Sequence, residues 1–356
     1  MITVVKTERL VLDPRRLDSA DAHAALDRAA AILRDGGLVA FPTETVYGLG
    51  ANALDPAAVA RIFAAKQRPS WDPVIVHVAG PVGANAMVEG LVAAPPENAR
   101  KLMEAFWPGP LTLLLPRSAA VPDSVTAGRP LVGVRMPSHP VALELIGRAG
   151  VPIAAPSANT FGRISPTTAA HVLEDLDGRI DAILDAGPTD HGVESTVLDP
   201  CQSPMIIYRP GAVTADQIRA VAGEVEIHRP EPNSGPPQAL PSPGVGLRHY
   251  APKARVILIA ATLESLPERL AEAAAENRGQ RVGVMLPQEL GSAAPPGTRV
   301  FAWGRWSALD ELARSLYAGL RALDAEDCAV ILCPVPPDEG IGAAIRDRLL
   351  KAARAR

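Results

Sequence analysis

Apolar residues recur along the chain with spacings that distinguish helices from strands. In residues 17–34 they recur every three or four positions and stop before Gly36-Gly37, which predicts a helix. The apolar run 38–41 predicts a strand, and residues 55–65 predict a second helix that opens with Asp-Pro. The next strand is predicted at 74–78, where continuous apolar residues indicate burial on both faces of a sheet.

The same patterns continue to about residue 210 without a regular alternation of strand and helix. Strands are predicted at 111–115, 132–135, 153–155, 183–185, 195–198 and 205–208. Helices are predicted at 98–106, 140–149 and 168–176. Because strands and helices mix without a βαβ repeat, we expect an α/β domain built on a mixed, twisted sheet.

A segment rich in proline and glycine then interrupts the pattern. Such a composition cannot form a regular core element and is typical of a linker. We therefore predict a first domain at 1–228, a linker at 229–253 and a smaller second domain at 254–356. In the second domain, strands at 255–260, 281–286, 299–303 and 329–332 are separated by helices at 263–276 and 308–323. This alternation predicts a Rossmann-like α/β domain with a parallel sheet.

Composition narrows the function classes. The chain has 356 residues, 47% of them hydrophobic, which is enough for two cores. Its formal net charge of −4 lacks the basic excess of a protein that neutralises many nucleic-acid phosphates, although a small basic pocket is compatible with it. The three cysteines form no CxxC pair. No apolar segment is long enough for a membrane span and no secretion signal is evident, so we expect a cytoplasmic protein.

The stretch PTETVYGLGANA contains Gly48-x-Gly50-x-x-Ala53, the glycine spacing of a dinucleotide-binding turn. That motif requires a helix opening on the glycines and an acidic residue about 20 positions later. Here the helix is predicted to begin at Asp55, and Arg68 stands 20 positions after Gly48. The chain also lacks a GxxxxGK[ST] motif. An oxidoreductase and a P-loop enzyme are therefore disfavoured.

Polar residues at the ends of predicted strands are the candidates for chemistry. Lys66-x-Arg68 would point both cations to one side if the backbone were extended, so the pair fits an anion or a solvated surface. Ser157-x-Asn159 follows an apolar strand, where it fits either a binding site or a simple turn. His77 lies inside a strand and is either a core histidine or a hydrogen-bonding partner of a small polar substrate.

Taken together and in order, these motifs closely resemble those of the YrdC/Sua5 family. The resemblance rests on GGLVAFPTETVYGLGANA, KQRPSWDPVIVHV, WPGPLTLLLP, VGVRMPSHP, PIAAPSANTFGRISPTTAAHV, DAGPTDHGVESTVLD and IIYRPGAVT. The tail is similar to a Sua5-type C-terminal domain in PSPGVGLRHYAPKA and EGIGAAIRDRLLKAA. The resemblance covers nearly the whole chain and implies a YrdC-like N-terminal catalytic domain.

The resemblance implies an L-threonylcarbamoyladenylate synthase, a nucleotidyltransferase that converts L-threonine, bicarbonate or CO2, and ATP into threonylcarbamoyl-AMP and pyrophosphate. Other proteins would transfer the group to tRNA as t6A, so no stable tRNA binding and no membrane partner are expected. Mg²⁺ is expected on the ATP phosphates rather than in a protein metal site. The residues implied for ATP are Lys66, Arg68, Ser70, Ser157, Asn159, Ser165, Arg209 and Tyr250, with Lys66 and Arg68 catalytic. Those implied for threonine are Thr43, His77, Arg135, the backbone at Ala155, and Ser195.

Three details of the resemblance lead to further expectations. Asp72 stands where the family commonly has Asn, which would place an anion near the phosphates. Residues 248–250, Arg-His-Tyr, are expected to act as a lid over the nucleotide or as a passive tether. The glycines at 48 and 50 are expected to let the chain turn sharply beside a ligand, with Tyr47 lining the pocket wall.

Two alternative functions remain open at the level of sequence. One is the carbamoyl-adenylating activity of hydrogenase maturation factors, although the chain lacks their acylphosphatase and zinc-finger segments. The other is non-catalytic binding of double-stranded RNA, which the net charge of −4 disfavours.

Overall fold

The chain divides into two units, each built on its own β-sheet. The computed structural model describes residues 6–81, 85–229, 242, 250–291 and 293–354. The first unit contains the described residues of the ranges 1–161, 166–190 and 194–246, and the second contains 162–165, 191–193 and the described residues after 246. Most of the predicted linker, including Arg248 and His249, lies outside the described residues.

Among its described residues, the first unit has a mixed sheet of eleven strands, in the order β1-β8-β2-β3-β7-β4-β6-β5-β9-β10-β11. In chain order these strands are β1 (Glu8–Val11), β2 (Val39–Pro42), β3 (Tyr47–Asn52), β4 (Ile75–His77), β5 (Leu111–Pro116), β6 (Leu131–Arg135), β7 (Ile153–Ala154), β8 (Ala182–Asp185), β9 (Thr196–Asp199), β10 (Met205–Arg209) and β11 (Val225–Ile227).

Helices cover this sheet and bury its apolar residues. They are α1 (Ala20–Arg34), α2 (Pro56–Lys66), α3 (Ala86–Leu91), α4 (Glu97–Phe106), α5 (Asp123–Thr126), α6 (Pro140–Ala149), α7 (Ala169–Leu176) and α8 (Ala215–Ala222). Leu38 and Ala40 belong to one apolar cluster, whereas Val39 and Phe41 belong to another. Since successive strand residues point to opposite faces, β2 is packed on both faces of the sheet.

The second unit is an α/β domain with a four-stranded parallel sheet, in the order β12-β15-β13-β14. Its strands are β12 (Arg255–Ile259), β13 (Val282–Pro287), β14 (Arg299–Gly304) and β15 (Val330–Pro334). Its helices are α9 (Leu266–Glu276), α10 (Leu309–Ala325) and α11 (Gly342–Ala353), with a short 3-10 turn at Gln288–Leu290. The predicted Rossmann-like class is confirmed, and no helix in the described part of either unit is long and apolar enough to cross a membrane.

The helix caps follow the residue chemistry expected from the sequence. Ser19 caps α1 by accepting a hydrogen bond from the Ala22 N–H, and Asp55 caps α2 by accepting one from the Ala57 N–H. The predicted start of the second helix after the glycines is therefore confirmed. This placement removes the structural basis for a dinucleotide-binding turn at residues 48–53.

The expectation that the two glycines form a sharp turn is wrong. Gly48 and Gly50 lie within β3, which pairs antiparallel with β2, and neither has a positive φ. A Cβ atom at Gly50 would lie 2.8 Å from the Phe41 ring and 2.9 Å from Ile153, so this glycine permits close packing. Tyr47 is buried in the core and its hydroxyl donates to the Gly187 carbonyl, so it does not line an open pocket wall.

Candidate active site

Four neighbouring strands bring polar residues to one edge of the sheet. In the parallel pair of β4 and β6, His77 at the end of one strand lies beside Arg135 at the end of the other. β5 runs antiparallel to β6 and begins at this same edge. β9 pairs in parallel with β5, which places Ser195, just before β9, at the start of both strands. Three predicted threonine-binding residues therefore share one edge.

Arg135 is held by acceptors from two other segments of the first unit. Its Nη2 lies 2.6 Å from Oε1 of Glu44 in an ion pair whose side chains are each only 4% exposed. Nη1 donates to Oγ1 of Thr45 at 3.0 Å, and Nε donates to the Gly109 carbonyl at 3.2 Å. The plane of the guanidinium is thereby fixed at the sheet edge.

The bend at residues 43–46 is closed by hydroxyl groups. Oγ1 of Thr43 donates to the Val46 carbonyl at 2.7 Å and lies 2.8 Å from Oγ1 of Thr45. Because the Thr43 proton goes to Val46, Thr45 is the donor in the contact between the two hydroxyls. The Thr43 oxygen also accepts from the backbone N–H groups of Thr45 and Val46. The Thr43 hydroxyl, which the resemblance implies for binding of the substrate L-threonine, is therefore engaged in hydrogen bonds within the bend.

His77 is a neutral imidazole at physiological pH. Burial lowers the pKa of His77 from 6.5 to about 3, and the charge of Arg135 adds to that lowering. Its ring meets the Phe41 ring edge to face, with centroids 6.4 Å apart. A neutral imidazole retains one acceptor nitrogen, which suits the amine or hydroxyl of an amino acid.

Ser195, predicted to bind threonine, contacts Thr112 and the predicted ATP residue Arg209. Its Oγ lies 2.8 Å from Oγ1 of Thr112 and accepts from Nη2 of Arg209 at 3.1 Å. Nε of Arg209 donates to the Ser195 carbonyl, also at 3.1 Å. Gly211 allows the chain after Arg209 to pass close to this backbone, since a Cβ atom at Gly211 would lie 2.2 Å from the Thr196 nitrogen. Ser195, which is predicted to bind threonine, is thus hydrogen-bonded to Arg209, which is predicted to bind ATP.

Lys66 does not have the backbone that the sequence pattern suggested. It is the last residue of α2, and Gln67 caps the helix in the left-handed region with φ of 53°, so the prediction of an extended Lys-x-Arg segment is wrong. Lys66 is 1% exposed, and its Nζ donates to the carbonyls of Ser157 and Asn159 at 2.5 and 2.6 Å. Burial lowers the pKa of Lys66 well below its ordinary value, and the charge of Arg68 lowers it further.

Arg68 and Asp72 form a second buried ion pair. Nη2 of Arg68 lies 3.0 Å from Oδ2 of Asp72, and the two side chains are 3% and 0% exposed. Arg68 also donates to the carbonyls of Asp72 and Pro73. The anion introduced by Asp72 is therefore offset by a cation four residues earlier.

The Ser157-x-Asn159 segment runs beside β3. The Leu49 N–H donates to the Pro156 carbonyl, and the Ala158 N–H donates to the Tyr47 carbonyl. Asn159 is buried and Ser157 is half-buried. Just before this segment, the Ala155 N–H donates to the Ile75 carbonyl, so a backbone contact of Ala155 with an amino acid would fall to its carbonyl oxygen.

Of the remaining predicted ATP residues, Ser70 belongs to the first unit, and Ser165 and Tyr250 belong to the second. Ser70 is exposed in the loop after α2, and Ser165 is buried in the second unit. Tyr250 is 2% exposed and has a φ of 64°. Its ring stacks on Tyr317 with centroids 5.6 Å apart, and the Arg348 guanidinium lies 5.3 Å from it.

Sequence reasoning missed three residues that hold the predicted site together, namely Glu44, Thr45 and Thr112. An acidic residue shortly after a predicted buried strand is a usable signal, because buried carboxylates need a charged partner. The spacing of residues does not reveal that partner, since Arg135 is 91 positions away. Within the described ranges, no group of three or more His, Cys, Asp or Glu residues forms a metal site.

Comparisons with known proteins agree with this arrangement. The family model Sua5_yciO_yrdC, described as "Telomere recombination", matches residues 31–211. The model Sua5_C, described as "Threonylcarbamoyl-AMP synthase, C-terminal domain", matches residues 213–354. Among similar proteins, the threonylcarbamoyl-AMP synthase of Bacillus subtilis is 44% identical over 99% of both chains. That of Pyrococcus abyssi is 44% identical over 91% of this chain and 93% of its own.

A solved structure extends the comparison to three dimensions. The crystal structure of P. abyssi Sua5 complexed with L-threonine superposes with a TM-score of 0.88 at 42% sequence identity, covering 98% of both chains. The match spans the large mixed sheet and the parallel sheet alike. With family models matching both regions and near-complete coverage of the relatives, the chain belongs to the YrdC/Sua5 family.

Proposed function

We propose that the protein is a threonylcarbamoyl-AMP synthase that consumes L-threonine, bicarbonate or CO2, and ATP. The observation that carries this proposal is the sheet edge where His77, Arg135 and Ser195 lie together beside the 43–46 bend. Arg135 offers a cation for the carboxylate of an amino acid, and the neutral imidazole of His77 offers an acceptor. The P. abyssi relative, with 98% coverage, is described as complexed with L-threonine.

The proposed reaction has two steps. The threonine nitrogen adds to CO2, losing a proton, to give a carbamate. A carbamate oxygen then forms a bond to the α-phosphorus of ATP while the bond to the bridging oxygen breaks and pyrophosphate leaves, which makes the enzyme a nucleotidyltransferase. Positioning and stabilisation of phosphoryl charge would supply most of the acceleration. Mg²⁺ bound to the ATP phosphates would neutralise part of their charge.

The contacts suggest a division of roles among the predicted ATP residues. Arg209 is linked to Ser195 and so lies where the threonine and ATP sites would meet. Lys66 holds the Ser157 and Asn159 carbonyls, which would orient that segment toward phosphate. For Ser70, Ser165 and Tyr250, a contact with ATP stays a prediction, as do a cytoplasmic location and transfer of the product to tRNA by other proteins.

The decisive experiment measures pyrophosphate release by the purified chain with ATP, bicarbonate and Mg²⁺, with and without L-threonine. We expect release to depend on threonine and to fall at least 100-fold in Arg135→Ala. Arg219→Ala is the matched control, because Arg219 forms an exposed ion pair with Asp216. Pyrophosphate release that continues unchanged without threonine, from folded protein, would overturn the proposal. Neither RNA binding nor carbamoyl adenylation is favoured by a specific contact.

A further inference from the structure

Glu44 has no role among the residues assigned to either substrate, yet it is the charged partner of Arg135. Both of its carboxylate oxygens are inaccessible to solvent, so a substrate cannot reach them directly. Burial raises the pKa of Glu44, but the charge and hydrogen bond of Arg135, together with the backbone at Glu44 and Ser138, lower it below its ordinary value. The side chain is therefore a buried carboxylate anion facing a buried guanidinium cation.

The partners of Arg135 determine which nitrogen remains open to a ligand. A guanidinium has five N–H groups, one on Nε and two on each Nη. Nε donates to Gly109, and Nη2 is inaccessible to solvent beside Glu44. Nη1 donates one of its two hydrogens to Thr45. These contacts leave a second hydrogen on Nη1 and one on Nη2. Because Nη2 is inaccessible to solvent, the Nη1 hydrogen is the one left for a carboxylate.

We propose that Glu44 is a positioning residue for the amino-acid substrate, which turns Arg135 so that Nη1 meets the substrate carboxylate. This inference rests on the proposed function and deepens it. Glu44 does not touch the substrate. Its carboxylate pairs with Nη2 of Arg135 in the protein interior, while Thr45 accepts from Nη1 and Gly109 accepts from Nε.

A neutral residue at position 44 should therefore weaken threonine binding selectively. Without the carboxylate charge, the guanidinium can rotate away from Gly109 and Thr45, and the substrate carboxylate loses a preorganised partner. In Glu44→Gln we expect the KM for L-threonine to rise at least about 10-fold, with kcat and the KM for ATP changing less than about threefold. Glu44→Asp, which keeps the charge on a shorter side chain, should recover part of the loss.

The experiment combines steady-state kinetics with calorimetric titration of L-threonine into each variant. Glu97→Gln is the control, because Glu97 is exposed and paired with Lys101. Thr45→Val provides a milder second perturbation of the same network, and we expect its threonine KM to rise about threefold or more. An unchanged threonine affinity in folded Glu44→Gln would overturn the proposal. So would an equal loss in kcat and in both KM values, since that pattern indicates general damage to the fold.

The two proposals can fail separately. A wild-type chain that binds L-threonine but releases no pyrophosphate would overturn the proposed function alone. In that case the ratio of calorimetric affinities between wild type and Glu44→Gln still decides the role of Glu44. If Glu44→Gln does not fold, the Thr45→Val titration decides it instead, and an affinity equal to that of wild type would then count against the proposal.

Discussion

The two buried arginines of the predicted site are fixed in different ways. Arg68 pairs with the Asp72 carboxylate and donates to the carbonyls of Asp72 and Pro73, which lie within five residues of it in the loop that follows α2. Its guanidinium also lies 5.9 Å from the centre of the Phe161 ring. Arg135 instead takes its partners from the 43–46 bend and from Gly109, which are distant in sequence. A local pair can form as soon as its own loop folds, whereas the distant pair forms only when the whole sheet is assembled. The position of Arg135 therefore depends more on the global fold than the Arg68–Asp72 ion pair does.

The strongest test of this difference removes each arginine. Arg135→Met leaves the Glu44 carboxylate buried without its partner, and we expect the free energy of unfolding to fall by about 3–5 kcal/mol. Arg68→Met also leaves a buried carboxylate, but the surrounding loop can open to water, so we expect a loss of only about 1–2 kcal/mol. Urea titrations of both variants measure these changes. Equal losses would contradict the contrast between a local and a distant pair.

Acid should lower the free energy of unfolding through His77, which is predicted to bind threonine. Since the folded pKa of His77 is about 3, the folded state holds this ring neutral while the unfolded chain protonates it near pH 6.5. The folded state thus binds fewer protons between these values, and stability falls as the pH falls. Between pH 7 and pH 5 we expect a loss of about 2 kcal/mol from this group.

The variant His77→Gln provides the control for this acid effect, because an amide does not titrate. Its free energy of unfolding should depend less on pH than that of wild type between pH 7 and pH 5, by urea titration at each pH. Parallel curves for the two proteins would show that His77 is not the source of the acid sensitivity.

The smallest expected effect concerns the phosphate side. Asp72→Asn keeps an oxygen acceptor for Arg68 but removes one negative charge, so the local potential becomes more positive. We expect the KM for ATP to fall about two- to fivefold, which corresponds to roughly 0.5–1 kcal/mol of charge interaction. The KM for L-threonine should stay within error of wild type. A higher KM for ATP would mean that the ion pair, not the net charge, determines binding on this side.

The same contrast explains what the sequence could predict. Apolar spacing located α6 with its observed bounds, and the Asp-Pro pair located the start of α2. The apolar pattern did not predict β3, because this strand contains Gly48 and Gly50 and glycine is unfavourable in strands. The strand forms here because it pairs with β2 and β7. The apolar pattern also missed α3, α8 and α11, of which α3 and α8 are short.

The predicted site residues divide along similar lines. The resemblance grouped His77, Arg135 and Ser195 as threonine-binding residues, and the structure brings all three to one sheet edge. Their contact with threonine stays a prediction. The backbone at Lys66 was wrong because the helix extends to that residue, beyond the predicted end at Ala65. Glu44 and Thr112 were missed because their contacts join segments that only the sheet order brings together. The sequence therefore predicted the residues of each local motif, whereas it did not predict contacts between segments that are distant along the chain.

The close approach at Gly211 has an evolutionary consequence. The space that a Cβ atom would need there is already filled by the backbone of residues 194–196, which cannot move aside as a flexible side chain would. Even alanine, the smallest change, would displace Ser195 and with it the link to Arg209. Selection should therefore remove substitutions of Gly211 more strictly than substitutions of Ser195, where a small polar replacement leaves the main chain in place.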